Sequence, residues 1–142
     1  MSSRLQGHLT TQYEWHESYS VGNAIIDQQH RKMLALCAES AKCLESIGPE
    51  GCERFHDLLH EMTACAREHF AKEEEVLLAQ NYPMLAEHAE EHDRFEIALC
   101  DFLFSAMRGE LNKVGVFNFL SEWCIHHILV SDSDCKSYLT EG

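Results

Sequence analysis

Basic residues are scarce in this chain of 142 residues. Eleven lysines and arginines stand against 24 aspartates and glutamates, which gives a formal net charge of -13. Binding to nucleic acid or to an anionic membrane surface needs clustered Lys and Arg. The composition therefore argues against both kinds of partner, although the acidic balance identifies no function.

Long apolar runs are also missing. No stretch approaches the length that spans a membrane, and the polar residues 1–14 contain no apolar segment of a secretory signal. The seven cysteines form no Cys-x-x-Cys pair, so neither a zinc ribbon nor a thioredoxin-type motif is indicated. We expect a cytoplasmic protein with free thiols and no membrane insertion.

Helical periodicity fills most of the chain. Apolar residues recur at three- and four-residue steps over about 25–47, 52–80, 83–108 and 117–132. The links between these segments are short and contain Gly-Pro at 48–49, where we expect the first helix to end, and Tyr-Pro at 82–83. Short links make consecutive helices antiparallel neighbours. The sequence predicts an all-α, up-down-up-down antiparallel four-helix bundle.

The two ends of the chain are less regular. Residues 1–14 show no periodicity and are predicted to be a loose N-terminal arm, with one helical domain over 15–142. The segment that starts at Trp15 looks extended, and its aromatic rings are expected to cover an end of the core. The last residues, from Ser133, are expected to form a last turn or a frayed end.

Two pairs of potential metal ligands stand at helical spacing in the middle of the chain: His69 with Glu73, and His88 with His92. Residues four apart on a helix differ by only about 40° in direction, so each pair points one way. Both pairs occupy positions where apolar residues are expected. A buried Glu without a partner is costly, and this one calls for a cation.

The outer two helices extend the pattern. His30 lies on the inward stripe of the first helix and His127 on that of the fourth. Asp132 follows His127 by five residues, which rotates it about 140° away in a regular α-helix. Asp132 therefore reaches the same site only if the helix ends or widens near Ser131, a distortion that is common at functional positions.

These residues together form a candidate metal site of five imidazoles and two carboxylates. That is too many ligands for one ion, and it suits two ions bridged by carboxylates. Mixed imidazole and carboxylate ligation favours iron and admits zinc or manganese. The candidate ligands are His30, His69, Glu73, His88, His92, His127 and Asp132.

Other polar residues near this pattern have simpler interpretations. His56 and His60 are also four apart but lie beside the apolar stripe, so a solvated face is expected, with a fortuitous surface metal site as the alternative. Glu74 and Glu75 are interpreted as solvated or as supporting the ligands from outside. Glu91 is assigned to the outer face of the third helix.

The pattern resembles the hemerythrin family, most of all its single-domain bacterial members, the bacteriohemerythrins. The family has a lone His on the first helix, His-x-x-x-Glu on the second, His-x-x-x-His on the third and His-x-x-x-x-Asp on the fourth. This chain matches every step, and also carries W-x-x-x-Y-x-V-G from Trp15 and I-D-x-Q-H from Ile26. The resemblance covers residues 15–132.

The resemblance implies reversible dioxygen binding, as carrier, store or delivery protein, at a non-haem di-iron centre with an oxo or hydroxo bridge. No acid–base residue beyond the candidate ligands is placed to process a substrate, so we expect no enzymatic activity. Two residues, Glu73 and Asp132, would bridge the irons. One iron would be held by His88, His92 and His127. The other would be held by His30 and His69 and would keep an open position.

The open iron should be flanked by an oxygen pocket built from Met33, Phe70, Trp123, Cys124 and Ile128. Cys124 departs from the family, which usually has an apolar Leu there. A buried Cys usually acts as a small hydrophobe. The alternative is a thiol close enough to bound oxygen to speed autoxidation or be oxidised.

Other functions remain open at this point. They are an oxygen or redox sensor that acts through a partner, a di-iron oxidase or peroxidase, a nitric-oxide-handling protein and an iron store. Ferritin-like oxidases use paired Glu-x-x-His motifs, whereas the one such motif here, Glu53 to His56, is off the stripe. We expect dioxygen as ligand, an oxygen-consuming enzyme as recipient and a monomeric protein.

Overall fold

The computed structural model describes residues 13–45 and 48–140. Most of the predicted N-terminal arm, residues 1–12, lies outside this range. Tyr13, which we placed in the arm, belongs to the core instead: it is buried, its ring meets Phe117 edge-on and its hydroxyl contacts that of Ser121. The helical domain therefore includes at least this residue of the arm.

Four long helices form the molecule: α1 (Ala24–Cys43), α2 (Pro49–Ala79), α3 (Leu85–Met107) and α4 (Lys113–His126). A π-helical turn, His127–Ser131, continues α4 into two short helices, α5 (Asp132–Asp134) and α6 (Lys136–Leu139). A 3-10 turn, Glu17–Tyr19, precedes α1. The described residues contain no strand, and the predicted all-α bundle is confirmed.

The four long helices close into a ring. α2 packs on α1 and on α3, and α4 packs back on α1. The rings of Phe95 on α3 and Trp123 on α4 stack with centroids 3.9 Å apart, which completes the circle. No helix in the described part of the chain is long and apolar enough to span a membrane.

The helix starts follow local rules of capping. The side chain of Asn23 accepts hydrogen bonds from the backbone N–H groups of Ile25 and Ile26, as expected for an N-cap. Gly48 has φ +114°, and Pro49 is the first residue of α2. The prediction that Gly-Pro ends the first helix was wrong, because proline fits the first helical turn and α1 already ends at Cys43.

A second, smaller apolar cluster receives the end of the chain. It consists of Val21, Ile26, Leu77, Cys135 and Leu139. The described part of the expected last turn is thus packed as far as Thr140, whose hydroxyl donates to the carbonyl of Val21 at 2.8 Å. Gly22 has φ +74°, and a Cβ on it would stand 2.8 Å from the Thr140 methyl, so glycine permits this close approach.

The main apolar cluster fills the bundle between the four long helices. Along α1, His30 stands between Ile26 of the small cluster and Met33 of the main one. Along α2, Glu73 likewise stands between Leu77 and Phe70. The polar candidate ligands therefore form a layer that separates two apolar clusters.

Candidate metal centre

All seven predicted ligands meet in this layer. Their side chains come from α1, α2, α3 and the segment that follows α4. Five of them are 0% exposed, His92 is 1% exposed and His88 is 7% exposed. The fully buried five are His30, His69, Glu73, His127 and Asp132.

The π-helical turn brings Asp132 to the site. The backbone N–H of Asp132 donates to the carbonyl of His127, five residues earlier. A turn that holds one extra residue cancels most of the rotation between positions five apart. The local widening that the sequence spacing required is therefore present, and both side chains face the interior.

The Glu73 carboxylate lies between histidines of three helices. Its Oε1 atom contacts Nε2 of His88 and lies 3.1 Å from Nε2 of His92, both on α3. Its Oε2 atom lies 3.0 Å from Nε2 of His69 and 3.7 Å from Nε2 of His127. The two oxygens thus face two different groups of imidazoles.

The Asp132 carboxylate spans the layer in a similar way. Its Oδ2 atom lies 2.6 Å from Nε2 of His30 and 2.9 Å from Nε2 of His127. Its Oδ1 atom is 3.3 Å from Nε2 of His88. A carboxylate with one oxygen directed to each side is the arrangement that a bridge between two cations requires.

The imidazole nitrogens approach one another closely. Nε2 of His69 is 3.0 Å from Nε2 of His127 and 3.2 Å from Nε2 of His30. Two ligands bound at about 2.1 Å to one ion, at right angles, stand about 3.0 Å apart. Glu73 Oε2 and Asp132 Oδ1 have no hydrogen-bond partner although they are buried. Spacing, donor chemistry and orphaned oxygens all fit a metal.

Three overlapping sets of potential ligand atoms are present, each within 4.8 Å, and the smallest contains His88, Asp132 and Cys135. Of the two larger sets, one contains Glu73, His88, His92 and His127. The other contains His30, His69, Glu73, His127 and Asp132. His127 belongs to both, so its assignment to the metal of His88 and His92 stays a prediction.

The charges of the cluster support one another. Burial alone would raise the pKa of Glu73, but the neighbouring His69 and His127 hold it well below its usual range. Burial alone would lower the pKa of His127, but Asp132 and Glu73 raise it well above its usual value. The carboxylates are therefore ionised at neutral pH. Protons on the imidazoles balance their negative charge, which a bound metal ion would balance instead.

Comparison with known proteins agrees with this geometry. Residues 21–139 match the model of the hemerythrin family, described as the hemerythrin HHE cation binding domain. The chain belongs to this family.

Individual relatives are distant but extend over most of the chain. The bacteriohemerythrin of Stenotrophomonas maltophilia is 25% identical over 123 residues, 83% of this chain and 75% of that protein. The bacteriohemerythrin of Clostridium acetobutylicum is 25% identical over 125 residues, 86% and 97% of the two chains. The myohemerythrin of Sipunculus nudus is 25% identical over 127 residues, 89% and 93% of the two chains.

Three side chains outside the predicted set lie next to the outer ring nitrogen, Nδ1, of a histidine. His69 Nδ1 donates to Gln29 Oε1 at 2.9 Å, and His92 Nδ1 donates to Glu74 Oε2 at 2.8 Å. Glu91 lies 3.8 Å from His127 Nδ1, so its assignment to the outer face was wrong. Gln29 was not singled out from the sequence. Each of the three is adjacent in sequence to a predicted ligand, which is the signal that could have found them.

The predicted oxygen-pocket residues lie in or against the main apolar cluster. Met33, Phe70, Cys124 and Ile128 are buried, and Trp123 is partly buried. Phe70 stacks on His92 with centroids 4.0 Å apart, and Trp123 stacks on His127 at 4.5 Å. The two aromatic rings therefore cover histidines predicted for the saturated iron, while their role beside the open iron stays a prediction.

The Cys124 thiol lies in a fully apolar setting. It is 0% exposed, and a hydrogen bond with Cys37, together with burial, raises its pKa well above the usual value for a thiol. Thiolate is the reactive form of cysteine. A thiol held protonated in this way behaves as a small apolar side chain.

The surface approaches the centre at one ligand, His88. A cleft of about 330 Å³ is lined by this histidine together with Tyr82, Glu87, Glu91 and Ser131, among others. The other six predicted ligands are at most 1% exposed. The layer is therefore closed to bulk water except at the edge where α3 faces the π-helical turn.

Proposed function

We propose that this protein binds dioxygen reversibly at a di-iron centre held by the seven buried side chains. The observation that carries the proposal is the convergence of five imidazole Nε2 atoms and two carboxylates in one enclosed layer of a hemerythrin-family bundle. The names of the relatives, bacteriohemerythrin and myohemerythrin, agree with it.

The carboxylates and histidines of the chain would have different roles at such a centre. When bound, two ferrous ions supply the electrons that a dioxygen ligand takes up and returns. Glu73 and Asp132 face both sides of the layer, so they can hold two cations at a fixed separation and offset part of their charge. Five histidines could not be shared equally between two metals, so one metal position would have fewer protein ligands and could accept a small molecule.

The apolar residues around the layer protect what binds there. Met33, Phe70 and Ile128 are at most 2% exposed and exclude water, which otherwise promotes loss of a reduced oxygen species. No buried acid or base beyond the proposed ligands faces this apolar side among the described residues. We therefore favour carriage, storage or delivery of oxygen over turnover.

We propose that Cys124 is an apolar filler of this pocket and not a redox group. The support is its complete burial and its raised thiol pKa. Replacing Cys124 with Leu should change the lifetime of the oxygenated form by less than about two-fold, because the two side chains are similarly apolar. A several-fold longer lifetime in the variant would contradict this role.

The wider setting is proposed from the sequence alone. We propose that the protein acts as a monomer in the cytoplasm and supplies an oxygen-consuming enzyme. The absence of disulfides among the described cysteines agrees with a reducing compartment. Gel filtration of the iron-loaded protein tests the monomer, with a dimer volume as the contradicting result.

The function is tested optically on the full chain. The protein is loaded with iron, reduced without air, exposed to oxygen and then purged. We expect two irons per chain and a charge-transfer band that appears and bleaches reversibly. Irreversible oxidation on the first exposure would contradict carriage and favour an oxidase, a peroxidase or a redox sensor.

A further inference from the structure

Three residues outside the proposed ligands, Gln29, Glu74 and Glu91, form a belt of outer contacts round the centre. On α1, Gln29 precedes His30 and accepts a hydrogen bond from His69 of α2 at 2.9 Å. On α2, Glu74 follows Glu73 and accepts one from His92 of α3 at 2.8 Å. Each outer residue is one position from a proposed ligand, so it points about 100° aside and reaches the histidine of the next helix.

The third member of the belt is Glu91 on α3. Its Oε1 atom lies 3.8 Å from Nδ1 of His127, an ion-pair distance, and accepts a hydrogen bond of 2.7 Å from the Ser131 hydroxyl. Nδ1 of His127 makes no hydrogen bond, so Glu91 acts on it through charge alone, and Nδ1 of His30 is likewise buried without a hydrogen-bond partner. The fourth helix thus supplies nothing to the first.

The belt is unequal in charge. A carboxylate accepts a hydrogen bond from His92, a neutral amide accepts one from His69, a carboxylate lies only at ion-pair distance from His127, and Nδ1 of His30 has no hydrogen-bond partner. A carboxylate behind Nδ1 raises the donor strength of the imidazole and fixes its tautomer. His92 is therefore a stronger ligand than His69, whose outer partner is neutral, or His30, which has none.

We infer that Glu74 and Gln29 make the two metal positions unequal: the metal on the side of α3 and α4 is bound tightly, and the metal on the side of α1 and α2 is bound weakly. This inference rests on the proposed two-metal centre. Glu74 and Gln29 are positioning residues, which act through His92 and His69 respectively. The weaker donors surround the metal position that has fewer protein ligands. The metal in that position is therefore the stronger Lewis acid of the two.

The test is a titration of the metal-free full chain with Co²⁺ without air, followed by absorbance. We expect two binding steps that differ at least ten-fold in affinity. Glu74→Gln keeps an acceptor but removes the charge, and should weaken the tight step about 10- to 100-fold. Gln29→Glu adds the charge behind His69 and should strengthen the weak step by about ten-fold. The double swap should bring the two steps together.

The chain offers matched controls for both substitutions. Gln28 is exposed beside Gln29, and the Glu75 side chain next to Glu74 is 73% exposed. Gln28→Glu and Glu75→Gln change the same charge one residue away and should leave both steps within about two-fold. Circular dichroism and thermal unfolding of each metal-free variant show whether it folds like the wild type.

A second readout separates donor strength from mere support of the fold. In the iron-loaded protein, a carboxylate behind a ligand stabilises the ferric state, so Glu74→Gln should raise the reduction potential and Gln29→Glu should lower it. The inference is overturned if Glu74→Gln weakens both Co²⁺ steps equally or if the swaps leave the potentials unchanged.

The same measurements distinguish the inference from the proposed function. Two equal Co²⁺ steps in a wild-type protein that binds oxygen reversibly would overturn the inference alone. Two Co²⁺ steps of unequal affinity, in a protein whose iron centre is oxidised irreversibly by oxygen, would overturn the proposed function alone. Binding of fewer than two Co²⁺ per chain would overturn both.

Discussion

Helix α2 carries two pairs of potential ligands at the same four-residue spacing, and only one of them lies in the candidate metal centre. The rings of His56 and His60 are 4.7 Å apart, close enough to act on one ion. His60 is exposed, and no set of three potential ligands in the described part of the chain includes either histidine. By contrast, His69 and Glu73 are completely buried among ligands from the other helices.

The difference shows what spacing alone can and cannot do. A step of four residues places two donors on one face of a helix, and both pairs satisfy it. Only the face that is turned to the bundle interior meets donors from other helices. His56 Nε2 is buried without a hydrogen-bond partner. Burial alone therefore does not bring a second potential ligand to this nitrogen.

The largest effect should come from Glu73, which contacts histidines of both ligand groups. Glu73→Gln removes one of the two carboxylate charges and should reduce metal affinity by more than about 100-fold, beyond the loss seen for outer partners. Metal content after gel filtration should fall below two irons per chain. Glu75→Gln, on the exposed side of the same helix, is the control. Two irons retained in Glu73→Gln would show that Glu73 is not a bridge.

Metal binding should also stabilise the fold, because the buried donors are adjacent only in the folded state. At a free metal concentration of 100 Kd, each site contributes about 2.7 kcal/mol. Two sites give about 5 kcal/mol, or roughly 15 °C in Tm for a chain of this size.

Calorimetry of loaded and metal-free protein measures this shift. The variant His56→Gln/His60→Gln should show the same shift as the wild type. A shift of only a few degrees in the wild type, under conditions where two irons are bound, would contradict coupling between metal binding and the fold.

The metal-free protein should lose stability as pH rises. Burial would lower the pKa of His88, but contacts with the carboxylates of Asp132 and Glu73 raise it to about 9. A histidine whose pKa is raised by folding contributes stability fully below its unfolded pKa of about 6.5, and this contribution is lost as pH rises through 9. The loss is on the order of 3 kcal/mol.

Urea unfolding at pH 6.5, 7.5 and 9 measures this loss. His30, whose pKa burial lowers despite the contact with Asp132, acts in the opposite sense at lower pH. His88→Gln should have a flatter profile than the wild type between pH 6.5 and 9, and Glu75→Gln should keep the wild-type slope. Equal slopes in all three proteins would show that His88 is not paired with the carboxylates.

The smallest effect should come from the outer pair. His56→Gln/His60→Gln should keep two irons per chain and the same oxygen spectrum, and its free energy of unfolding should change by no more than about 0.5 kcal/mol. Loss of an iron in this variant would mean that the outer pair takes part in a site after all.

Much of the centre could be predicted from sequence because each ligand interrupts an apolar stripe. A lone histidine such as His30 is ambiguous, but it becomes informative once His69, Glu73 and the others fall on facing stripes. The five-residue step to Asp132 even required the local widening that the structure has. Periodicity locates residues that point directly inward, and the structure brings these side chains together.

The outer belt could not be predicted by the same reasoning. Gln29, Glu74 and Glu91 point sideways, into the grooves between neighbouring helices. Which histidine such a side chain meets depends on the direction in which the helices follow one another round the ring, and one sequence does not specify it. The burial of Tyr13 was missed for a related reason, since a single residue outside any helix has no periodicity to indicate its partner.

The π-helical turn makes chain length, as well as residue type, part of the centre. Such a turn is an α-helix with one residue inserted, and here its exposed members include Leu129 and Val130. Deletion of either would return His127 and Asp132 to a four-residue step, with both still on one face. An insertion would instead carry Asp132, Cys135 and Leu139 about 100° away from their partners. In this segment, gaining one residue is far more damaging than losing one.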